Sequence, residues 1–192
     1  MKSCTNYTFR RGELTVLFNL IDDFVTNEDL NSEGGDGEVE IDESLFGKKR
    51  KYNRGSPSPQ SWVFGIASKD RKMCHIEVVP NRTKVTLNAI IEAHISKSCT
   101  ISHDDWSSYR TLNKSGYSHK VVNHSETFVT EDGVHTNTIE GLWGLIKLRI
   151  RSQKGVRGYL LTPFLHEFMF RYNFCNKMII PESKIKHIIC EL

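Results

Sequence analysis

Three acidic motifs contain the residues best suited to do chemistry in this sequence. In "VEIDES", Asp42 lies among alternating apolar residues; "SHDDW" offers Asp104 and Asp105, and "HTNTIE" offers Asn137 and Glu140. Carboxylates that a fold brings together repel each other, and one pKa rises unless a cation lies between them. Oxygen ligands of this kind suit Mg²⁺ or Mn²⁺. The motifs therefore predict a divalent-metal site, provided that the fold brings them together.

The first two motifs also have simpler explanations. Alternation along a strand places polar residues between apolar ones, so Asp42 could be a surface residue on the polar face of its strand. Either Asp104 or Asp105 could cap the short helix that is predicted to begin at Trp106. Read alone, neither motif decides between a metal ligand and these structural roles.

The third motif continues as "EGLWGLIK" and predicts a helix with a polar stripe. Asn137, Glu140, Gly141, Gly144 and Lys147 are spaced by about three or four residues, close to one line along the helix. Asn137 and Glu140 could face an ion, with Lys147 holding a phosphate. Alternatively, Thr136 or Asn137 caps the helix, Glu140 lies in its first turn and Lys147 lies in solvent. Capping does not explain the two glycines, which each cost a helix up to about 1 kcal/mol relative to Ala. Small residues there would let another backbone or a nucleic acid approach closely.

The charges of the chain are strongly clustered, although its 192 residues carry a net charge of only +3. Residues 22–43 are acidic, and cations concentrate at residues 48–54 and 147–157. Basic clusters are typical of nucleic-acid contacts, although either cluster alone slightly favours a solvated face. Two of them close to carboxylates favour a nucleic-acid partner.

Cysteine usage and hydropathy indicate the compartment. Five cysteines are scattered singly, a pattern that fits neither a disulfide framework nor a zinc knuckle. The thiols are therefore expected to be reduced, and the protein is expected to be nuclear if it is eukaryotic and otherwise cytoplasmic. The sequence shows no apolar run long enough for a membrane span and no secretion signal at its start.

Hydrophobic periodicity predicts the element order β-β-β-α-β-α-β-α-α, preceded by a short helix over residues 13–25 and a flexible acidic joint. Strands are expected in "EVEIDESLF", "SWVFGIAS", "RKMCHIEVVP", "CTISHDD" and "SHKVVNHS". Helices are expected in "RTKVTLNAIIEAHIS", "WSSYRTLNKSG", residues 137–151 and "LTPFLHEFMFRYNF".

This order predicts an α/β fold of the ribonuclease H-like class, with a five-stranded mixed sheet flanked by helices. Tight turns make the first three strands antiparallel, and a crossover helix brings the fourth strand parallel to the first. Asp42 on the first strand and Asp104 at the end of the fourth then become neighbours. Their adjacency follows from topology and not from local sequence.

Several segments in register also resemble a known family. "VEIDESLFGKKRKYNRG", "WVFGIASKDRK", "ISHDDWSSYRTLNKSGYSHKVVNHS", "GVHTNTIEGLWGLIKLRIR" and "FLHEFMFRYN" resemble the transposase domain of Merlin-type DNA transposons and of the related ISXO group of bacterial insertion sequences. The likeness runs from about Gly37 to Asn173. It predicts a domain over residues 37–175, with residues 1–36 ahead of it and a tail over 176–192.

The resemblance implies a DDE-type active site that uses two divalent metal ions, Mg²⁺ or Mn²⁺, to cut DNA and to join the freed 3′-hydroxyl to target DNA. Asp42 would bridge both ions, while Asp104 and Glu140 would each hold one. The family pattern has an aspartate two residues before the tryptophan, which selects Asp104; the third position is Glu140 in Merlin-like members and Asn137 in some bacterial ones. Lys147 matches the lysine that follows.

The same resemblance implies DNA and a second copy of the chain as partners. The residues expected to meet the DNA backbone are Lys48, Lys49, Arg50, Lys51, Arg54, Lys147, Arg149, Arg151, Lys154 and Arg157. Family members carry a DNA-binding region ahead of this domain, whereas here the helix over 13–25 and the joint precede the first strand. The alternative to an active transposase is therefore an inactive or domesticated DNA-binding protein derived from one.

Overall fold

The computed structural model describes residues 37–47, 60–68, 70–122 and 137–173. The helix expected over residues 13–25, the acidic joint and the tail lie outside these residues. So do five of the cations expected to contact DNA: Lys48, Lys49, Arg50, Lys51 and Arg54.

Five strands and three α-helices make up the described part of the chain. The strands are β1 (Glu38–Phe46), β2 (Ser61–Ser68), β3 (Met73–Val79), β4 (Thr100–Asp104) and β5 (Ser118–Val122). The helices are α1 (Lys84–His94), α2 (Asn137–Ser152) and α3 (Leu161–Asn173). No helix within the described ranges has both the length and the apolar character needed to cross a membrane.

The short helix expected between β4 and β5 is instead a pair of 3-10 turns, Ser107–Tyr109 and Leu112–Ser115. Serine, threonine and asparagine in this segment favour turns over α-helix, because their side chains compete for backbone hydrogen bonds. Its two buried anchors, Tyr109 and Leu112, are three residues apart. The segment ends as expected at Gly116, whose φ of +82° favours glycine.

The sheet has the strand order β3-β2-β1-β4-β5. β1, β2 and β3 pair antiparallel, β4 lies parallel to β1, and β5 lies parallel to β4. This arrangement confirms the ribonuclease H-like fold predicted from the order of the elements.

Each face of the sheet is covered by helices, so the central strands are buried on both sides. Val39 and Ile41 on β1 point into a core shared with α1. Phe46 points to the opposite face, into a core shared with α2 and α3. Because side chains alternate along a strand, Asp42 lies on the α2 face.

Two contacts fix α2 against this face. The buried carboxylate of Glu40 accepts a hydrogen bond from the backbone N–H of Ile139 at 2.8 Å. This bond satisfies a free N–H in the first turn of α2 and places a negative charge at the positive end of the helix. Trp143 lies over Gly65 of β2, which pairs with Asp42.

α3 packs against β3, the strand at one end of the sheet. The Asn173 side chain bonds both backbone groups of Cys74, each at 2.9 Å, and Ile76 N–H donates to the Met169 sulfur at 3.0 Å. Side chains of α3 therefore satisfy the outward-facing backbone groups of β3.

Gly65→Ala is expected to lower the free energy of unfolding by about 1–3 kcal/mol, because a Cβ there would lie 2.7 Å from Trp143. Gly144→Ala is the matched control. A Cβ at that position meets nothing within 4 Å, so the substitution should stabilise α2 by up to about 1 kcal/mol. Urea denaturation of both variants measures the two effects, and equal stability of Gly65→Ala and the parent chain would contradict the packing described.

Candidate active site

Asp42 is half-buried near the middle of β1, and two donors hold its carboxylate. The backbone N–H of Glu43 donates to Oδ1 at 2.7 Å, and the indole N–H of Trp143 donates to Oδ2 at 2.9 Å. One donor belongs to the strand and the other to α2. The carboxylate is thereby fixed relative to both elements.

Asp104 ends β4 at the position beside Asp42. β1 and β4 pair in parallel up to Glu40 and Ser102, so two residues further along each strand the same register reaches Asp42 and Asp104. Asp104 Oδ1 also accepts the backbone N–H of Trp106 at 3.3 Å, which is a local turn contact and not the helix cap that the sequence left open, because no α-helix begins there. Asp105 instead lies exposed in an ion pair with Arg110. The structure thus brings Asp104, and not Asp105, to the carboxylate on β1.

α2 brings its polar stripe to the same face of the sheet. Glu140 is exposed one turn before Trp143, and its carboxylate acts electrostatically on Asp42. Asn137 is exposed at the first residue of the helix, and Lys147 is exposed two turns after Glu140. A Cβ on Gly141 or Gly144 would meet nothing within 4 Å, so the described residues give no packing reason for either glycine.

Among the described residues, no cation balances the charge of the Asp42 carboxylate. Burial raises its pKa from the ordinary 3.8 to about 6. The hydrogen bonds from Glu43 and Trp143 oppose this rise in pKa, and the charges of Asp104 and Glu140 add to it. A cation among these three carboxylates would relieve their repulsion.

Glu43 is a fourth carboxylate that the sequence analysis did not single out. Its side chain points to the α1 face, is 3% exposed, and accepts a hydrogen bond from the Tyr109 hydroxyl. Burial raises its pKa to about 7; the bond from Tyr109 and the charge of Arg82 lower this pKa, whereas Asp42 and Asp104 raise it. The acidic run "EIDES" was the only available signal, and alternation alone would have placed Glu43 on the apolar face.

Arg82 is the cation nearest to Glu43 that the structure describes, with Nη1 4.0 Å from Oε2. Its guanidinium is sandwiched between Trp62, 3.8 Å from the ring centroid, and Trp106, at 4.2 Å. Two aromatic faces attract and orient this cation. The sandwich therefore joins β2 to the segment after Asp104.

A chain of hydrogen bonds supports the end of β4. His103 Nδ1 lies against the carbonyl oxygen of Asp104, and its Nε2 is 2.8 Å from His119 Nδ1. His119 Nε2 is 2.7 Å from Asn113 Oδ1. Burial holds the pKa of His103 below its ordinary value, which favours the neutral ring. This chain fixes the backbone on which Asp104 stands.

A basic groove of about 780 Å³ begins at Lys147 and follows the end of α2. Four of the expected DNA contacts line it: Lys147, Arg151, Lys154 and Arg157. Gly47, which immediately precedes the basic segment at residues 48–54 in the sequence, lines it too. Arg149 points elsewhere and pairs with Glu167 at 3.0 Å. The structure thus gathers four cations of the second cluster and separates the fifth.

In metal-free buffer, the free energy of unfolding of the parent chain is expected to fall between about pH 4 and pH 7. Asp42→Asn is expected to remove this fall. The folded-state pKa of Asp42, about 6, lies above its ordinary value of 3.8, so the folded chain binds this proton more tightly than the unfolded chain does. The resulting stabilisation is complete below about pH 4 and is lost as the pH rises through 6.

Urea unfolding at about pH 5 and about pH 8 in EDTA measures this effect as the difference between the parent chain and the variant. Raising the pH should shift that difference in favour of Asp42→Asn. Asp105→Asn, next to the site but exposed, is the control and should show no such trend. A pH-independent difference for Asp42→Asn would count against a buried, ionisable Asp42.

Solved structures with a similar fold include an integrase catalytic core domain and a transpososome. The HTLV-2 integrase catalytic core domain in complex with magnesium aligns with a TM-score of 0.46 and 10% identity, over 71% of this chain and 84% of that one. The pre-cleavage Mos1 transpososome aligns with a TM-score of 0.48 and 8% identity, over 88% of this chain and 59% of that one. These TM-scores and sequence identities are low. The fold is therefore identified from the strand order and register of this chain.

Sequence comparison is more specific. An uncharacterized transposase-like protein of Haemophilus influenzae is 30% identical over 96 residues, which cover 50% of this chain and 77% of that protein. The profile of the ISXO2-like transposase domain matches residues 35–173. That match spans every strand and helix described above, and it confirms the relationship to ISXO-group transposases predicted from the motifs. The chain therefore belongs to the ISXO2-like transposase domain family.

Proposed function

We propose that this chain is a DDE-type catalytic domain that cuts DNA phosphodiester bonds and transfers the freed strand, with Mg²⁺ or Mn²⁺ as cofactor. The observation that carries the proposal is the carboxylate of Asp42, which is half-buried, held by two donors and within electrostatic reach of Asp104 and Glu140. A carboxylate used only on a polar surface would have no need of this burial.

The donor set fits two hard divalent cations. Asp42, Asp104 and Glu140 offer only oxygen, the ligand type that Mg²⁺ and Mn²⁺ prefer, and the raised pKa of Asp42 indicates unbalanced negative charge. In the proposed arrangement Asp42, Asp104 and Glu140 would together hold the ions. When bound, such ions supply Lewis-acid activation of the phosphoryl group and a water or hydroxyl nucleophile of lowered pKa.

The chain's own residues orient these ligands. Trp143 and the Glu43 amide occupy one lone pair on each oxygen of Asp42, which leaves the remaining lone pairs available on a fixed carboxylate. Such outer contacts fix the orientation of a metal ligand. Lys147, exposed two turns after Glu140, is placed to neutralise a phosphate beside the carboxylates.

Glu140 is the better candidate than Asn137 for the third ligand. Its negative charge acts on the pKa of Asp42, and it is one turn from Trp143, which contacts Asp42 directly. Asn137 stands one turn earlier, at the exposed start of α2. Separate substitution of each residue decides between them.

The basic groove is the proposed path of the DNA backbone. Lys154 and Gly155 both have positive φ, 60° and 110°, in the turn that ends α2. Left-handed backbone is uncommon for lysine, so the surrounding structure must hold Lys154 in place at the edge of the groove. Phosphate contacts here would position DNA without reading its sequence.

The proposed function also includes assembly: copies of this chain would form a homo-oligomer on DNA ends.

Asp42→Ala, Asp104→Asn and Glu140→Gln are each expected to lower Mn²⁺-dependent nicking of supercoiled plasmid by at least about 100-fold, because each removes a metal ligand. Asp105→Asn, one residue from Asp104 but turned away in an exposed ion pair, is the matched control and should cleave normally. Asn137→Ala should retain more activity than Glu140→Gln.

Nicking that survives Asp42→Ala would contradict the proposed active site. DNA binding that persists in EDTA, without cleavage by the parent chain in Mg²⁺ or Mn²⁺, would instead favour the inactive, transposase-derived DNA-binding protein, which keeps the groove and lacks the chemistry.

Lys154→Gln with Arg157→Gln is expected to reduce the salt dependence of DNA binding. Each lost phosphate contact lowers the slope of log K against log salt by about 0.9, so the double variant should lower it by about 1.8. Fluorescence anisotropy across a range of salt concentrations measures the slope. Lys84→Gln, exposed at the start of α1 on the other side of the sheet, is the control and should leave it unchanged.

A further inference from the structure

Two histidines and a glutamate meet on the face of the sheet opposite to Asp42. His75 and Glu77 alternate on β3, so both side chains point to the α1 face, where His94 lies in the last turn of α1. One nitrogen or oxygen from each of the three side chains lies within 4.8 Å of the other two. His75 pairs with Ile66, whereas Asp42 pairs with Gly65, which confirms that the two clusters occupy opposite faces.

His75 is the unusual member of this cluster. Its side chain is 12% exposed, yet both ring nitrogens are buried without a hydrogen-bond partner in the described structure. An unsatisfied buried donor or acceptor costs about 1–3 kcal/mol, so native proteins rarely retain one without a reason such as a missing ion. A bound ligand would therefore supply a partner that the His75 imidazole lacks in the described structure.

The neighbours of His75 lie directly beside it. Its ring stacks on that of His94, with centroids 3.7 Å apart and planes at 24°, so both rings can bind one ion once one of them turns about its Cβ–Cγ bond. The Nε2 atom of His75 is 3.6 Å from Glu77 Oε2. That separation is too long for a hydrogen bond but close to the ~3.3 Å between two ligands of a tetrahedral zinc ion with bonds of about 2.0–2.1 Å. Glu77 is 48% exposed, which leaves an open side for entry and for a water ligand.

The electrostatics also suit a cation. Contact with His75 holds the pKa of Glu77 below its ordinary value; burial raises it, and His75, His94 and His166 lower it further. Glu77 is therefore an anion at neutral pH. His94 stands at the C-terminal end of α1, where the helix dipole favours positive charge.

We propose that His75, Glu77 and His94 bind one Zn²⁺ ion, with water as the fourth ligand. Two imidazole nitrogens and one carboxylate oxygen suit Zn²⁺ rather than Mg²⁺, which prefers oxygen and an octahedral shell. The ion binds one of the two ring nitrogens of His75 and ties the end strand β3 to the end of α1. The site uses no cysteine, which is why cysteine spacing gave no sign of it.

Zn²⁺ titration of the Asp42→Asn chain in excess Mg²⁺ tests this site without a contribution from the acidic cluster. Isothermal calorimetry should show a site that His75→Gln, Glu77→Gln and His94→Gln each weaken at least tenfold. Co²⁺ should give the visible absorption of a tetrahedral site, and each substitution should abolish it. A hundredfold excess of Zn²⁺ over the dissociation constant should raise the Tm by about 5 °C or more.

His119→Gln is the matched control, because His119 is a half-buried histidine on the same face that lies outside the cluster. Circular dichroism verifies that each variant folds; if His75→Gln does not, the more exposed Glu77 and His94 carry the test. Zinc affinity that is the same in the control, Glu77→Gln and His94→Gln would overturn the proposal. Since these variants leave Asp104 and Glu140 intact, this result is separate from the outcome of the nicking assay.

Discussion

The hydrogen bond from the Trp143 indole to the Asp42 carboxylate is the contact on which the proposed active site depends. It joins the centre of the sheet to α2, the helix that carries Glu140 and Lys147. Trp143 can lie there only because Gly65, beside Asp42 on the neighbouring strand, has no side chain. A glycine, a tryptophan and an aspartate that are far apart in sequence thus form one packing unit.

β1 carries four carboxylates, and each has a different partner, which explains how a largely buried strand can be so acidic. The pairs are Glu38 with Ser102 and Lys120, Glu40 with the Ile139 amide, Asp42 with Trp143, and Glu43 with Tyr109 and Arg82. Three of these acids are satisfied mainly by structural contacts. Asp42 and Glu43 both have two further acids as electrostatic neighbours, but only Glu43 has a described cation, Arg82, beside it, so the environment of Asp42 still favours a cation.

The fold and the acidic pair could be predicted because they follow from periodicity and connection rules. Alternation identified the strands, and a crossover helix implied that β4 lies beside β1, so the neighbourhood of Asp42 and Asp104 followed from topology. The contact between Gly65 and Trp143 could not be predicted, because it depends on how closely α2 approaches the sheet. The prediction of a short helix after Trp106 was wrong, because local hydrogen bonding outweighed the helical spacing of the apolar residues. His75 and Glu77 show strand alternation, but their meeting with His94 depends on the tilt of α1.

The two hydrogen bonds between the Asn173 side chain and the Cys74 backbone affect the order of folding during synthesis. β3 is made about 100 residues before Asn173, since the two bonded residues are 99 positions apart. Until α3 emerges from the ribosome, the outer edge of β3 lacks the partners that α3 provides for its backbone amides and carbonyls. Strands from other nascent chains could pair with this edge. Completion of the domain therefore waits for its last described helix, even though the strands that bear Asp42 and Asp104 are already present.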